Sequence, residues 1–242
     1  MIRIREYISN FTNQEINLSD EQLSAFEIYF DMLVEKNKVM NLTAITKRDE
    51  VILKHFIDSL ALISSYPDLT KNKLNVIDVG TGAGFPGLPL AIAFPNLHIT
   101  LFDSLNKRIK FLQEVVDELN LNERITALHG RAEEGARNPK LRENFDLVVS
   151  RAVANMSVLA EYCLPFANIG GYFIPYKSGE IDEELTEGKK AVSLLGGKIE
   201  KVDKLTLPDS DISRSFVHIK KIKPTPKAYP RKPGTASREP IK

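Results

Sequence analysis

Residues Asn75–Gly87 read NVIDVGTGAGFPG. A short apolar run reaches Asp78, and Gly80, Gly82, Gly84 and Gly87 then fall within eight residues. A brief apolar run bounded by glycines predicts a buried strand. Glycines spaced this way predict a tight turn whose backbone can approach a ligand closely. Pro86 supports the turn, because its ring presets the backbone for the first helical position. The stretch is therefore a strand–turn–helix unit, the opening move of a doubly wound sheet that binds its ligand at the carboxyl end of the strand.

The glycines alone leave the ligand open. Gly82, Gly84 and Gly87 satisfy G-x-G-x-x-G, the dinucleotide fingerprint, whereas Gly80, Gly82 and Gly84 satisfy the (D/E)-x-G-x-G-x-G loop of S-adenosylmethionine (SAM) sites. A pyrophosphate favours bare helix N-terminal amides with no carboxylate nearby. Asp78, two residues before Gly80, opposes a diphosphate and suits the amino and sulfonium groups of SAM. Asp103, 19 residues beyond Gly84 at the end of the next apolar run, suits a carboxylate accepting ribose hydroxyls and fits NAD or SAM equally. Charge favours SAM, and an NAD-dependent oxidoreductase stays as the alternative.

Working outward, strands are expected at Leu74–Val79, His98–Phe102, Ile125–His129, Phe145–Ser150 and Gly171–Tyr176, with helical patterns between them at Pro86–Phe94, Leu105–Leu119, Ala132–Ala136 and Asn155–Leu164. This alternation predicts an α/β fold with right-handed crossovers and a parallel sheet covered on both faces. After a helix at Ile181–Leu195, strands Lys198–Leu207 and Arg214–Ile222 are separated by a Pro-Asp-Ser-Asp turn region. They read as an antiparallel hairpin at one edge, making seven strands in all. Upstream, Ser19 with Gln22 forms a capping-box pattern, followed by apolar Leu23, Phe26, Phe30, Leu33 and Val34 on one helix face. A second helix from Asp49 buries Ile52, Phe56, Leu60 and Ile63, with the connection Asn41-Leu42-Thr43 before it. The expected organisation is a helical extension over 1–70, a sheet domain over 71–223 and a tail over 224–242.

Composition narrows the function classes. Among 242 residues 43% are apolar, ordinary for a globular chain, and no apolar run is long enough for a transmembrane helix. MIRIREYISN has no export-type apolar region. Cys163, the only cysteine, permits neither an internal disulfide nor a cysteine zinc cluster. A cytoplasmic, membrane-free protein is expected. The net charge of +1 hides an asymmetry: Lys220–Lys242 carries eight Lys/Arg against the acid Glu239, while the remainder carries 25 basic and 31 acidic groups. Pro224, Pro226, Pro230, Pro233 and Pro240 argue against regular structure in that segment. An extended basic arm on a mildly acidic body suggests a polyanion partner, and a plain solvated terminus is the other reading.

The whole pattern resembles the bacterial small-subunit rRNA guanine-N7 methyltransferase family (RsmG, also called GidB). The resemblance rests on NLTAI at Asn41–Ile45, KHFIDSL at Lys54–Leu60, DVGTGAGFPGLPLAI at Asp78–Ile92, FDSLNKRIKFL at Phe102–Leu112, GRAEE at Gly130–Glu134, FDLVVSRAVA at Phe145–Ala154 and YPRKPGTASREP at Tyr229–Pro240. It implies a Rossmann-like class I SAM-dependent methyltransferase fold, SAM as donor, no metal, and a monomer acting on 16S rRNA or the small ribosomal subunit. By that resemblance Gly80, Gly82, Gly84 and Phe85 hold the methionine part and Asp103 the ribose. Ala132 and Glu133 line the adenine pocket, and Arg151 lies beside the donor methyl. Asn41, His55, Asp58 and Ser59 approach the same crevice from the N-terminal helices. Ala236 and Arg238 stand where the family usually has proline and lysine, which leaves the tail basic.

The chemistry agrees by omission. Guanine N7 offers a lone pair and loses no proton, so methyl transfer requires positioning and charge management rather than a general base. The chain has neither the N/D-P-P-Y/F grip of amino-group methyltransferases nor a Pro-Cys nucleophile; Cys163 lies in YCLPF and reads as core. Arg151 is the candidate for phosphate, guanine O6 or the SAM carboxylate. Lys177, Arg231, Lys232 and Arg238 are candidate RNA contacts. His55, Asp58 and Ser59 fall at i, i+3 and i+4 on one helix; without a G-x-S-x-G elbow a hydrolytic triad is a poor reading. His98, His129 and His218 lack metal-ligand spacing and read as structural. A non-catalytic RNA-binding or ribosome-assembly protein on the same fold stays as a further alternative.

Overall fold

A computed structural model describes residues 1–11, 16–151 and 154–242. Ala152 and Val153, within the FDLVVSRAVA motif, lie outside the described residues. Seven strands form one sheet in the order β3-β2-β1-β4-β5-β7-β6. They are β1 (Leu74–Val79), β2 (Leu97–Asp103), β3 (Ile125–His129), β4 (Phe145–Ser150), β5 (Ala167–Ser178), β6 (Gly197–Thr206) and β7 (Ser213–Lys221). The first five are parallel, with β1 central: Asp78 is in register with Leu101 of β2 and Val149 of β4. The expected antiparallel hairpin lies at one edge of the sheet, with its second strand, β7, on the inner side. β7 pairs antiparallel with both β5 and β6, so β6 is the edge strand on this side and β3 the edge on the other. Lysines and acids alternate along the β6 edge in GKIEKVDKLT, which discourages pairing with another chain.

The helices α1 (Ile2–Phe11), α2 (Asp20–Met40), α3 (Arg48–Val51), α4 (Asp58–Leu60), α5 (Gly87–Ala93) and α6 (Asn106–Glu118) are followed by α7 (Ala132–Gly135), α8 (Met156–Cys163), α9 (Asp182–Leu194) and α10 (Thr235–Arg238). Ser19 caps α2 reciprocally with Gln22, and Asn41 ends it in the left-handed conformation. The buried stripe of α2 is Leu23, Phe26, Tyr29 and Leu33. Tyr29 therefore takes the place of Phe30 and Val34, both only partly buried, in the expected set: its ring fills the seam against Phe56 and Phe85 while its hydroxyl reaches the Ala83 carbonyl at 2.6 Å. The second expected helix buries Ile52, Phe56, Leu60 and Ile63, but it is not one helix. It widens into a π-helical turn over Ile52–Ile57 between α3 and α4, then tightens to a 3₁₀ turn over Ala61–Ser64.

One core cluster joins residues of α1, α2 and the π turn to α5, α6 and one face of the sheet; the other packs α8 and α9 against the opposite face. The N-terminal helices thus share a core with the strands. A buried polar brace adds to this: Ser65 Oγ lies 2.6 Å from Asp203 Oδ2 and 2.5 Å from His218 Nε2. Burial lowers the His218 pKa, so the ring sits in the brace uncharged at neutral pH. No described helix is long and apolar enough to cross a membrane.

The C-terminal tail is not an extended arm. Arg142 donates to the Thr225 and Tyr229 carbonyls at 2.8 and 3.0 Å, and Arg137 to that of Pro230. Ala236 is buried and Thr235–Arg238 makes one helical turn. Prolines suppressed a long element here, but these backbone carbonyls find arginine donors instead, and the chain folds back along α7 and α8.

Candidate functional site

The carboxyl ends of β1 to β4 open on a cleft of about 340 Å³, lined among others by Gly80, Asp103, Ala132, Glu133, Ser150 and Tyr162. The turn that follows β1 beside this cleft depends on glycine at two positions. Gly84 has φ +109°, and a Cβ there would stand 2.6 Å from the Tyr29 hydroxyl. A Cβ at Gly87 would stand 2.4 Å from Leu101 and 3.0 Å from Asp78 Oδ2. Asp78 itself lies beneath the turn: it is fully buried, and its Oδ2 accepts from Thr81 Oγ1 (2.7 Å) and the Gly87 amide (2.8 Å). Burial raises its pKa to about 6. Asp78, the acid expected near a cofactor cation, braces the loop and α5 from below. Pro86 precedes α5 as its cap residue, one position earlier than expected.

Asp103, at the end of β2, faces the cleft and ties the loop from above. Its Oδ2 accepts from the Gly82 amide at 2.9 Å and from Arg108 at 3.3 Å, and its Oδ1 from the Leu105 amide at 2.8 Å. Glu133 also lines the cleft, with Oε1 accepting from the Gly234 amide at 2.8 Å.

Beside the loop lies a second group of residues, assembled from distant segments. Arg151 extends from the end of β4, its guanidinium carbon 5.0 Å from the Phe85 ring centroid. Nη1 donates to Asp58 Oδ2 (3.0 Å) and to the Lys54 carbonyl (3.2 Å), and Nη2 lies 3.4 Å from His55 Nδ1. The π-helical turn positions these partners, since it presents the Lys54 carbonyl, His55 and Asp58 together toward Arg151. His55 stacks on Phe85 at 4.4 Å between centroids, and its Nε2 meets Thr43 Oγ1 at 2.8 Å. Burial, reinforced by Arg151, lowers its pKa to about 4, so the ring is neutral at physiological pH. Asp58 is 1% exposed and also receives Arg214 of β7, at 2.6 Å from Nε and 3.1 Å from Nη2. Arg214 is the member of this group that sequence reasoning missed; its pattern says only strand.

The remaining candidates separate. Ser59 Oγ donates to the His55 carbonyl rather than the ring, and its own carbonyl accepts from Tyr176 at 2.7 Å; with Asp58 bound to two arginines, no hydrolytic triad exists. Asn41 is exposed at the end of α2, two residues from Thr43. Lys177 is not open to solvent: Nζ donates to the Ala154 carbonyl at 2.8 Å and pairs with Glu184 at 2.6 Å. Arg231 is likewise occupied, donating from Nη2 to Glu161 Oε2 at 2.6 Å, where Glu161 is fully buried. Both basic residues are consumed by internal acids that composition cannot locate. Lys232 and Arg238 stay exposed. Cys163 is buried at the cleft wall, where burial raises its thiol pKa. His218 is the buried brace described above, whereas His98 and His129 are exposed. Among the described residues no group of three or more His, Cys, Asp or Glu is placed to hold a metal ion.

A seven-stranded sheet in this order, with a glycine turn after β1 and an acid ending β2, is the Rossmann-like fold of class I SAM-dependent methyltransferases. Two solved structures share it: TrmN from Thermus thermophilus (TM-score 0.51, 16% identity, 69% of this chain and 48% of that one) and the Methanococcus jannaschii fibrillarin pre-rRNA processing protein (TM-score 0.50, 17% identity, 64% and 69%). The family model described as rRNA small subunit methyltransferase G (GidB) matches residues 22–214. Proteins named ribosomal RNA small subunit methyltransferase G are similar over nearly the whole chain. That of Lachnoclostridium phytofermentans is 54% identical over 97% of this chain and 96% of its own, and that of Bacillus velezensis 50% over 99% of each. The chain belongs to the rRNA small subunit methyltransferase G family.

Proposed function

We propose that this protein transfers the methyl group of SAM to N7 of a guanine in 16S rRNA, acting in the cytoplasm as a monomer. Family membership supports the reaction class. The observation that carries the site assignment is the group beside the glycine loop, where Arg151 is held by Asp58 and laid over Phe85. An in-line displacement at guanine N7 needs the two reactants aligned and the migrating charge stabilised, with no proton removed. Uncharged His55, with a pKa lowered to about 4, suits positioning and makes a poor base at neutral pH.

SAM supplies an activated methyl on a sulfonium. In this reading Gly80, Gly82, Gly84 and Phe85 receive its methionine part and Asp103 its ribose, while Ala132 and Glu133 meet its adenine. Asp78 holds the loop in shape for it. Arg151 lies where it can meet the SAM carboxylate or guanine O6, and its bond to Asp58 limits its swing. Asn41, His55 and Ser59 shape the crevice from the N-terminal side. Residues 1–70 thus serve as a positioning segment, 71–223 as the donor-binding sheet, and 224–242 as a basic segment with Lys232 and Arg238 toward RNA. Cytoplasmic action is supported by the single cysteine.

Radiolabelled SAM incubated with 30S particles and with free 16S rRNA, followed by mass spectrometry of the product, tests the reaction. Label on guanine N7 is expected, and unchanged guanine with a folded protein would remove the enzymatic reading. Asp103→Ala should weaken S-adenosylhomocysteine binding by about tenfold or more, on the order of one charge-assisted hydrogen bond, as calorimetry would read. Sedimentation tests the monomer.

A further inference from the structure

The cleft has a wall that neither the glycine loop nor the strand ends provide. Gly234 and Ser237 line it together with Tyr162 and Cys163 of α8. Both come from the tail, which the donor-binding assignment above leaves out.

Three ties hold this segment in place, and they differ in kind. Arg231 grips the fully buried Glu161 carboxylate, donating from its backbone amide (2.7 Å), Nε (3.0 and 3.1 Å) and Nη2 (2.6 Å). The anchor is multiply bonded and its carboxylate is buried, while Arg231 itself is partly exposed. The Gly234 amide donates to Glu133 Oε1 at 2.8 Å. Tyr162 and Ser237 share a hydroxyl–hydroxyl bond of 2.7 Å at an exposed rim, where water competes. The first tie is durable and the third is easily broken, so the rim can open without undocking the anchor.

Glu133 is shared between the two functions. It lines the cleft and also holds the tail's amide, so whatever orders Glu133 from inside the cleft orders the tail. Such linkage is reciprocal: a docked tail must raise the affinity of the cleft's ligand by the factor with which that ligand favours docking.

We propose that Arg231–Arg238 is a strap that closes the nucleoside end of the cleft, its Gly234 backbone and the Ser237–Tyr162 hydroxyls forming a rim around the purine of the bound methyl donor. The assignment rests on the cofactor reading above. Tyr162 and Ser237 are then positioning residues for the donor, and the anchor Arg231–Glu161 sets how firmly the strap is held.

Calorimetry with S-adenosylhomocysteine on three proteins tests this: the full chain, a chain ending at Pro230, and the Tyr162→Phe/Ser237→Ala double variant. The truncated chain should bind at least about tenfold more weakly and the double variant about threefold, the loss of a wall and of a hydrogen bond respectively. In the full chain, saturating S-adenosylhomocysteine should slow tryptic cleavage after Arg231 and Arg238 by about tenfold relative to cleavage after Lys38, on the far end of α2. If the truncated chain fails to fold, protection in the full chain decides. Equal affinities in folded variants, or tail cleavage unchanged by ligand, would overturn the strap. A folded full chain that binds no S-adenosylhomocysteine would remove the cofactor reading first, and the strap with it.

Discussion

The glycine loop and the C-terminal tail border the same cleft and are held there by opposite means. The loop is braced mostly from within its own unit: Asp78 reaches Thr81 and Gly87, three and nine residues on. The tail is held by side chains that lie far away in the chain. Glu161, Glu133 and Arg142 are 70, 101 and 87 residues from Arg231, Gly234 and Tyr229. A loop of the first kind is intolerant of an added Cβ where it packs on its surroundings, at Gly84 and Gly87. A segment of the second kind tolerates change along its length and fails at its anchors.

The largest effect should come from the loop. Gly84→Ala introduces a Cβ at φ +109° within 2.6–2.9 Å of Tyr29, Leu88 and Leu112, and should cost about 4 kcal/mol from backbone strain and overpacking. Thermal unfolding should show a fall of roughly 10 °C; a fall under a degree would mean the loop is not the rigid partner in this comparison. Next is the tail's anchor. Arg231→Met leaves Glu161 buried without its cation and should cost about 3 kcal/mol, while Arg231→Met/Glu161→Leu should recover most of that. Failure of the double variant to recover would show that the anchor acts through more than the charge pair.

The two buried titrating groups beside the loop oppose one another. His55 has its pKa lowered to about 4, so between pH 6.5 and 4 the unfolded chain binds the extra proton and stability falls as pH falls. Asp78 has its pKa raised to about 6, so between about pH 6 and 4 the folded chain binds the proton and stability rises as pH falls. Each contributes roughly 3 kcal/mol across its window, and they offset. His55→Gln should therefore unmask Asp78, and denaturant titrations between pH 6.5 and 4 should show that variant gaining stability relative to wild type. Parallel pH profiles would contradict the pairing. The smallest effect is expected at Lys232: Lys232→Ala should change stability by less than about 0.5 kcal/mol. It should still lower the salt dependence of RNA binding by about 0.7 log–log slope units, as for one lost single-strand phosphate contact. An unchanged slope would make the strap's outer charge idle.

This contrast also explains what was legible in the sequence. Strand, turn and helix around Gly80–Gly87 could be read locally because glycine spacing and the apolar run are themselves the physical cause of that geometry. The capping of α2 by Ser19 and Gln22 was legible for the same reason. Three features were not. KHFIDSL carries helical periodicity, and nothing in it announces a π turn, which is stabilised by what Arg151 and Phe85 place against it. Arg231 and Lys177 look like free cations until Glu161 and Glu184 arrive from elsewhere. Asp78 belongs to the loop by position, but its depth below the loop depends on the Leu101 and Gly87 packing. Charge counts locate none of these.

Asp58 binds Arg151 and Arg214 at once, and its bond to Arg214 spans 156 residues. That one carboxylate therefore makes the site a late event in the life of the chain. While a ribosome is still making the protein, the glycine loop, β2 and Arg151 are available long before Arg214 is. Until β7 inserts between β5 and β6, Asp58 has only half its counter-charge and Arg151 is under-restrained. A chain stalled short of Arg214 would carry the glycine loop, Asp103 and Arg151 without the second arginine that holds Asp58 in place.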